Sequence, residues 1–113
     1  MLAKNNRLKK NKEFDLVFKE GKTVYGGFLG LKIRKNALEI NRFGVLLSTK
    51  VSKLAVIRNL YKRRIKDILK QEEPKIKTGY DCVVIVLPAI INKNYQEIEA
   101  EIKTAFTKLK FYR

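Results

Sequence analysis

Histidine and tryptophan are absent from this 113-residue chain, and cysteine occurs once. Without histidine there is no imidazole general base, no Ser–His or Cys–His nucleophilic pair and no histidine-based zinc site. A single cysteine excludes an internal disulfide, and a reducing cytosol is then the default expectation. Cys82 lies in the apolar run 82–87, where it reads as a small buried hydrophobe and not as a nucleophile or ligand. No apolar run approaches the length of a membrane span. The first ten residues include basic side chains but lead into no apolar stretch, so no secretory signal is expected and the protein is placed in the cytoplasm. Acids are few, and they are scattered: Glu13, Asp15, Glu20, Glu39, Asp67, Glu72, Glu73, Asp81, Glu97, Glu99 and Glu101. A two-metal nuclease centre needs carboxylates converging on ions ~3.5–4 Å apart, and no pair here has a recognisable spacing for that. Glu97, Glu99 and Glu101 suit the polar face of a helix, and Glu72-Glu73-Pro74 suits a helix exit. The chain is expected to hold no catalytic centre of its own.

What is present is positive charge. Lysine and arginine number 26 against 11 acids, a net charge of +15. Self-repulsion of that size opposes folding, so a large anionic partner is the economical explanation, with nucleic acid foremost. A hydrophobic share of 45% fits one folded domain over 1–113 and not a disordered basic tail. The charge is concentrated in one segment. On a helical wheel Leu54, Ile57, Tyr61, Ile65, Ile68 and Leu69 fall in one apolar arc. Arg58, Asn59, Lys62, Arg63, Lys66 and Lys70 sweep through the adjoining half-turn, where Asp67 is the only acid. The apolar stripe lacks Trp and Phe, which argues against insertion into a membrane surface.

The remaining pattern gives a helix over 8–20, with Asn11 as N-cap and Gly21 just past its end. Extended runs at 23–34 and 42–49, separated by a turn region at 36–41, look like a hairpin. The basic helix spans 53–71 and stops before Pro74. A third strand, 80–87, is apolar enough to be central, Pro88 ends it, and a last helix runs 95–111 with Tyr95, Ile98, Ile102, Phe106 and Leu109 on its inner stripe. The order predicts an α+β fold, a single-domain α/β sandwich with helices packed on three or four strands. No short helix precedes residues 53–71, which counts against a DNA-binding helix-turn-helix.

The run Ala55-Val56-Ile57-Arg58-Asn59, then Lys62-Arg63 and Lys66-Asp67, resembles the signature A-V-x-R-N-R-x-K-R-x-x-R-E of the bacterial ribonuclease P protein family. Arg7-Leu8, Phe14, Val17-Phe18 and Gly21 match its opening helix, R-L-x-x-x-x-x-F-x-x-V-F-x-x-G. Gly44-Val45-Leu46-Leu47-Ser48-Thr49-Lys50-Val51 stands where the family has its strand exit, so the resemblance covers nearly the whole chain. Leu60 departs from the R-N-R trio, Lys66 replaces Arg without its bidentate fork, and Lys53 stands where a Gly usually precedes the helix. Some members carry a Tyr on the open face of the first long strand; by position its equivalents here are Lys32 or Leu31.

The resemblance implies a protein that assists a catalytic RNA, which with Mg2+ removes the 5′ leader of precursor tRNA. The implied partners are that RNA subunit and the single-stranded leader, with no DNA and no membrane. It also implies a left-handed βαβ crossover, against the common hand. The RNA-subunit contacts fall on Arg58, Asn59, Lys62, Arg63, Lys66 and Lys70. A leader cleft takes in Phe14, Phe18, Lys32, Lys50, Val51, Ala55, Arg58 and Asn59, with auxiliary phosphate contacts from Arg7, Lys9, Lys10 and Lys12. Phe14 and Phe18 share a helical face and suit either core packing or a platform for bases. No metal ligand set is assigned to the protein. The competing reading is a ribosomal or other structured-RNA-binding protein without a processing role.

Overall fold

The computed structural model describes residues 6–113. In chain order its elements are α1 (Asn11–Glu20), β1 (Lys22–Tyr25), β2 (Leu29–Lys35), β3 (Arg42–Leu46), α2 (Ala55–Glu72), β4 (Tyr80–Val86) and α3 (Tyr95–Lys108). One mixed sheet has the order β1-β2-β4-β3, with β1–β2 and β2–β4 antiparallel and β3–β4 parallel. Apolar residues occupy both alternating sets of β4, so the strand needs cover on both faces and takes a central place. The architecture is the expected α+β sandwich.

The expected hairpin is not formed, because β4 lies between β2 and β3. The connection 36–41 runs across the start of β4 and is fastened to it by two asparagines. Asn36 N–H donates to the Gly79 carbonyl at 2.9 Å, and Asn36 Nδ2 donates to Asp81 Oδ1 at 2.9 Å. Asn41, buried, donates to the Lys77 carbonyl and accepts from Tyr80 N–H. Six residues span two strand spacings of ~4.8 Å easily, so a short antiparallel connection does not by itself require neighbours. The run 23–34 is likewise two strands, broken at Gly26-Gly27, and β3 ends at Leu46 instead of continuing to Thr49.

The sheet's alternation separates two cores. Leu29, Leu31, Ile33, Phe43, Cys82, Val84 and Val86 face α2 and α3 and join Tyr61, Ile65, Ile68, Leu69, Ile98, Ile102 and Phe106. Val83 faces the other way and packs with Leu8 and Val17, with Phe14 and Ile85 at the margin. The apolar arc of α2 holds over Tyr61, Ile65, Ile68 and Leu69, but its first member, Leu54, is exposed because it precedes the helix and lies beyond the sheet. Cys82 is fully buried, and burial pushes its thiol pKa up. That agrees with an inert apolar role.

Helix ends follow local chemistry. Leu8 is extended and donates to the Phe43 carbonyl at 2.8 Å, so α1 starts at Asn11, with Lys10 and not Asn11 as its N-cap. Asn94 caps α3 by accepting from Glu97 N–H, while Glu97 Oε1 accepts from Asn94 N–H, a reciprocal capping box. That helix ends at Lys108, because Lys110 turns the chain with φ of 54° and sends Phe111 back into the core. Glu101 is no mere polar-face acid. Its carboxylate accepts from the backbone N–H groups of Gly27, Phe28 and Leu29 at 3.0–3.1 Å, and so pins the β1–β2 turn to α3. Glu101→Ala leaves three donors without their acceptor and is expected to cost about 2–3 kcal/mol, seen as a lower denaturant midpoint at unchanged slope. An unaltered midpoint would show that water replaces the carboxylate without loss.

Candidate nucleic-acid interface

The polar face of α2 is laid open along most of its length. Asn59, Arg63 and Lys70 are exposed, and Lys62 and Lys66 are half-buried along their stems with their charged ends available. Asn59, Lys62, Arg63, Arg64, Lys66 and Asp67 line an open groove of about 570 Å³ closed on one side by Tyr95 of α3. Arg64 and Tyr95 were not anticipated. Arg64 sits with its guanidinium 5.5 Å from the Tyr61 ring centroid, and only the packing of α3 against α2 brings Tyr95 there. Tyr95 donates its hydroxyl to Asp67 Oδ2 at 2.7 Å. Burial, then the hydrogen bond and charge of Asp67, push the Tyr95 pKa up to about 12, so the hydroxyl keeps its proton.

Arg58 stands apart from this groove. It is half-buried, and its Nη1 donates to the Ser52 carbonyl at 2.9 Å, which ties the turn before α2 to the helix. Part of its donor set is therefore spent on the fold. Leu54 caps α2 with no side-chain acceptor, and Ala55 and Val56 are exposed, Val56 by 78%. The first turn thus has neither a side-chain cap nor an acid to complement the positive end of the helix.

The second surface is the sheet face that carries α1. Arg42 on β3 binds α1 to the sheet: Nε and Nη2 each donate to Asp81 at 2.8 Å, and Nη1 pairs with Glu13. Asp81 is almost wholly buried, so Arg42 is its necessary counter-charge. The backbone N–H of Lys10 foremost, with Lys9 and Arg42 adding and burial opposing, holds the Glu13 carboxyl below its ordinary pKa. With α1 held over β2 and β4 and tied to β3 by Arg42, Phe14 presses on Gly44, where a Cβ would stand 2.4 Å from Phe14 Cε1. Phe14 is half-buried, whereas Phe18, one turn on, is 40% exposed with Lys32 Nζ 5.5 Å from its ring centroid. The two rings share a face, as the spacing requires, but one is foundation and the other surface.

Sheet parity extends this face past α1. Leu46 shares the side of Gly44 and is exposed, and Tyr25 on β1 covers Gly30, whose Cβ would stand 2.4 Å from Tyr25 Cε1. The aromatic group on the open face is thus Tyr25, 55% exposed; Leu31 points into the main core. Glycine opposite an aromatic on a neighbouring strand, Tyr25 against Gly30, was the signal available for it. Lys50 is exposed. Val51, expected at the cleft, is instead buried as a member of the main core, 7% exposed. Lys9, Lys10 and Lys12 are exposed around the start of α1, and Arg7 is half-buried where its backbone bridges to Phe43. Among the described residues no group of three or more Cys, Asp or Glu side chains is arranged to hold a metal ion, and no helix is long and apolar enough to cross a membrane.

A family model described as Ribonuclease P matches residues 2–110. The ribonuclease P protein component of Alkaliphilus metalliredigens is 37% identical over 109 residues, covering 96% of this chain and 97% of the relative. That of Clostridium kluyveri is 39% identical over 109 residues, covering 95% and 96%. The solved structure of the Staphylococcus aureus RNase P protein superposes with a TM-score of 0.87 at 25% identity, covering 96% of this chain and 98% of that one.

Proposed function

Because this chain belongs to the ribonuclease P protein family, we propose that it divides the work of the holoenzyme between its two open surfaces. The holoenzyme processes the 5′ ends of tRNA, and this chain is its protein component. In this reading the cationic face of α2, carried by Asn59, Lys62, Arg63, Lys66 and Lys70, docks on the RNA subunit. The α1 side of the sheet, with Phe14, Phe18, Tyr25, Lys32, Leu46 and Lys50, receives the single-stranded 5′ leader up to the open first turn of α2 at Ala55 and Arg58. The single observation that carries the division is that exposed aromatic rings, Phe18 with Lys32 beside it and Tyr25, mark the α1 side, while the α2 groove is lined mainly by cations.

Each surface has its own physics. Lysine and arginine on α2 release counterions from an RNA backbone, which gives affinity that falls steeply with salt. Exposed rings beside lysines take unstacked bases with little regard to sequence, as a variable leader demands. Lys9, Lys10 and Lys12, with Arg7, track the leader backbone from the rim. Mg2+ belongs to the RNA-catalysed hydrolysis, and this chain's share is to bind and align the substrate. Activity of this kind places the protein in the cytoplasm, and the crossover from β3 through α2 to β4 is read as left-handed, as in the resembling family. Reconstitution with the cognate RNA subunit at low Mg2+ is expected to restore precursor-tRNA cleavage that RNA alone performs poorly. Failure to stimulate cleavage, with co-sedimentation on ribosomal particles instead, would favour the structured-RNA-binding alternative.

A further inference from the structure

A docking face built only for phosphate has no use for a carboxylate, yet Asp67 sits among its cations. The other acids tied into the fold have evident tasks: Glu13 and Asp81 hold Arg42, Glu97 caps α3, Glu101 pins a turn and buried Glu72 accepts from Tyr112. Asp67 shares the groove with Asn59, Lys62, Arg63, Arg64 and Lys66, but forms no ion pair within 4.0 Å among the described residues. Its partners are neutral donors, and both address one oxygen. Tyr95 donates to Oδ2 at 2.7 Å and Gln71 Nε2 donates to Oδ2 at 3.3 Å. Gln71 also donates to the Tyr95 hydroxyl oxygen at 3.2 Å. The carboxylate is thereby held in one orientation, with Oδ1 free of partners among the described residues.

A fixed carboxylate oxygen repels phosphate and attracts base N–H donors. Beside it stand a half-exposed aromatic ring, an amide at Asn59 and several cations. A groove of about 570 Å³ is in the range that holds a small organic ligand. We propose that this groove receives one unpaired nucleotide of the RNA subunit. An amino-bearing base donates to Asp67 Oδ1 and lies against Tyr95, and the adjoining phosphates meet Arg63, Arg64 and Lys66. Uracil, whose single N–H lies between two carbonyls, is disfavoured beside the carboxylate. The inference rests on the reading of α2 as the docking face and adds base selection to it.

The sign of one substitution tests it. Asp67→Asn keeps an acceptor for Tyr95 but turns an amide donor toward the base, and it raises the positive charge of the face by one. Electrostatics alone then predicts tighter RNA binding, whereas base reading predicts binding about tenfold weaker with an unchanged salt slope. Tyr95→Phe keeps the ring but cuts the tether, and is expected to weaken binding less than Asp67→Asn. Base-specific chemical probing of the bound RNA subunit should show one protected unpaired base that becomes reactive with Asp67→Asn. Equal or tighter binding by Asp67→Asn overturns the inference. So does equal weakening by both variants with a lowered melting temperature and no change in base reactivity, which would make the pair a tether between helices. Lys62→Ala with Lys66→Ala serves as the separate control: if it leaves affinity and salt slope untouched, the docking reading itself fails.

Discussion

Alanine at Lys62, Arg63 and Lys66 together is expected to lower affinity for the RNA subunit about a hundredfold and to flatten the salt slope by roughly 2–3. Each of these side chains carries its charge into solvent from the face of α2 opposite the core, and none takes part in an ion pair among the described residues. Their loss therefore removes counterion release without disturbing Tyr61, Ile65 or Ile68 beneath them. Folding should change little, since substitutions at such surface positions usually stay within about 0.5 kcal/mol. Arg58 makes a poorer test, because its bond to the Ser52 carbonyl mixes docking with the shape of the preceding turn. Equilibrium binding across a potassium chloride series measures both quantities. A preserved slope would mean that these cations stay in water in the complex.

The largest effect on the leader surface is expected from the smallest change, Gly44→Ala. A methyl at that position would stand 2.4 Å from Phe14 Cε1 and 2.5 Å from Cζ, far inside van der Waals contact. The strand beneath cannot yield, since β3 is paired to β4 through Gly44 and Val83. The ring must therefore tilt out, and α1 lifts with it, at an overpacking cost of about 1–3 kcal/mol. Phe18 and the Lys32 beside it then lose their alignment. Precursor-tRNA affinity is expected to fall about tenfold, and mature-tRNA affinity by much less, in line with the stacking energy of one base. Pairing Gly44→Ala with Phe14→Leu removes the collision, so the double variant should be more stable than the sum of the single effects. Equal losses for precursor and mature tRNA would show that Phe14 supports the fold alone.

Much of this was legible in the sequence, for identifiable reasons. The wheel of α2 and the doubly apolar run of β4 reflect burial, which periodicity reports directly. Strand order escaped it, because the separation of β2 and β3 by β4 goes with polar clamps at Asn36 and Asn41 that no hydrophobic pattern records. The cationic face of α2 was readable from the spacing of its residues on one helix. Tyr95 was not, since it reaches the groove from another element. The burial of Val51 was illegible for a related reason: in a run of mixed polarity, spacing cannot say which way a turn tucks its one apolar side chain. The exposure of Tyr25 and Leu46 could not be read from spacing either, because it depends on where α1 stops covering the sheet.

Cys82 pairs across the central strand with Ile33 on one side and Phe43 on the other, wholly out of reach of solvent. No other thiol exists in the chain. The molecule thus contains a single chemical group that stays unreactive while the sheet is intact and becomes reachable when β4 is uncovered. The rate at which an alkylating reagent consumes it counts excursions of the sheet into the open state, with no label added. For the same reason a cysteine placed on α2 or at the leader surface would accept a dye or crosslinker alone, and the native thiol need not be removed first.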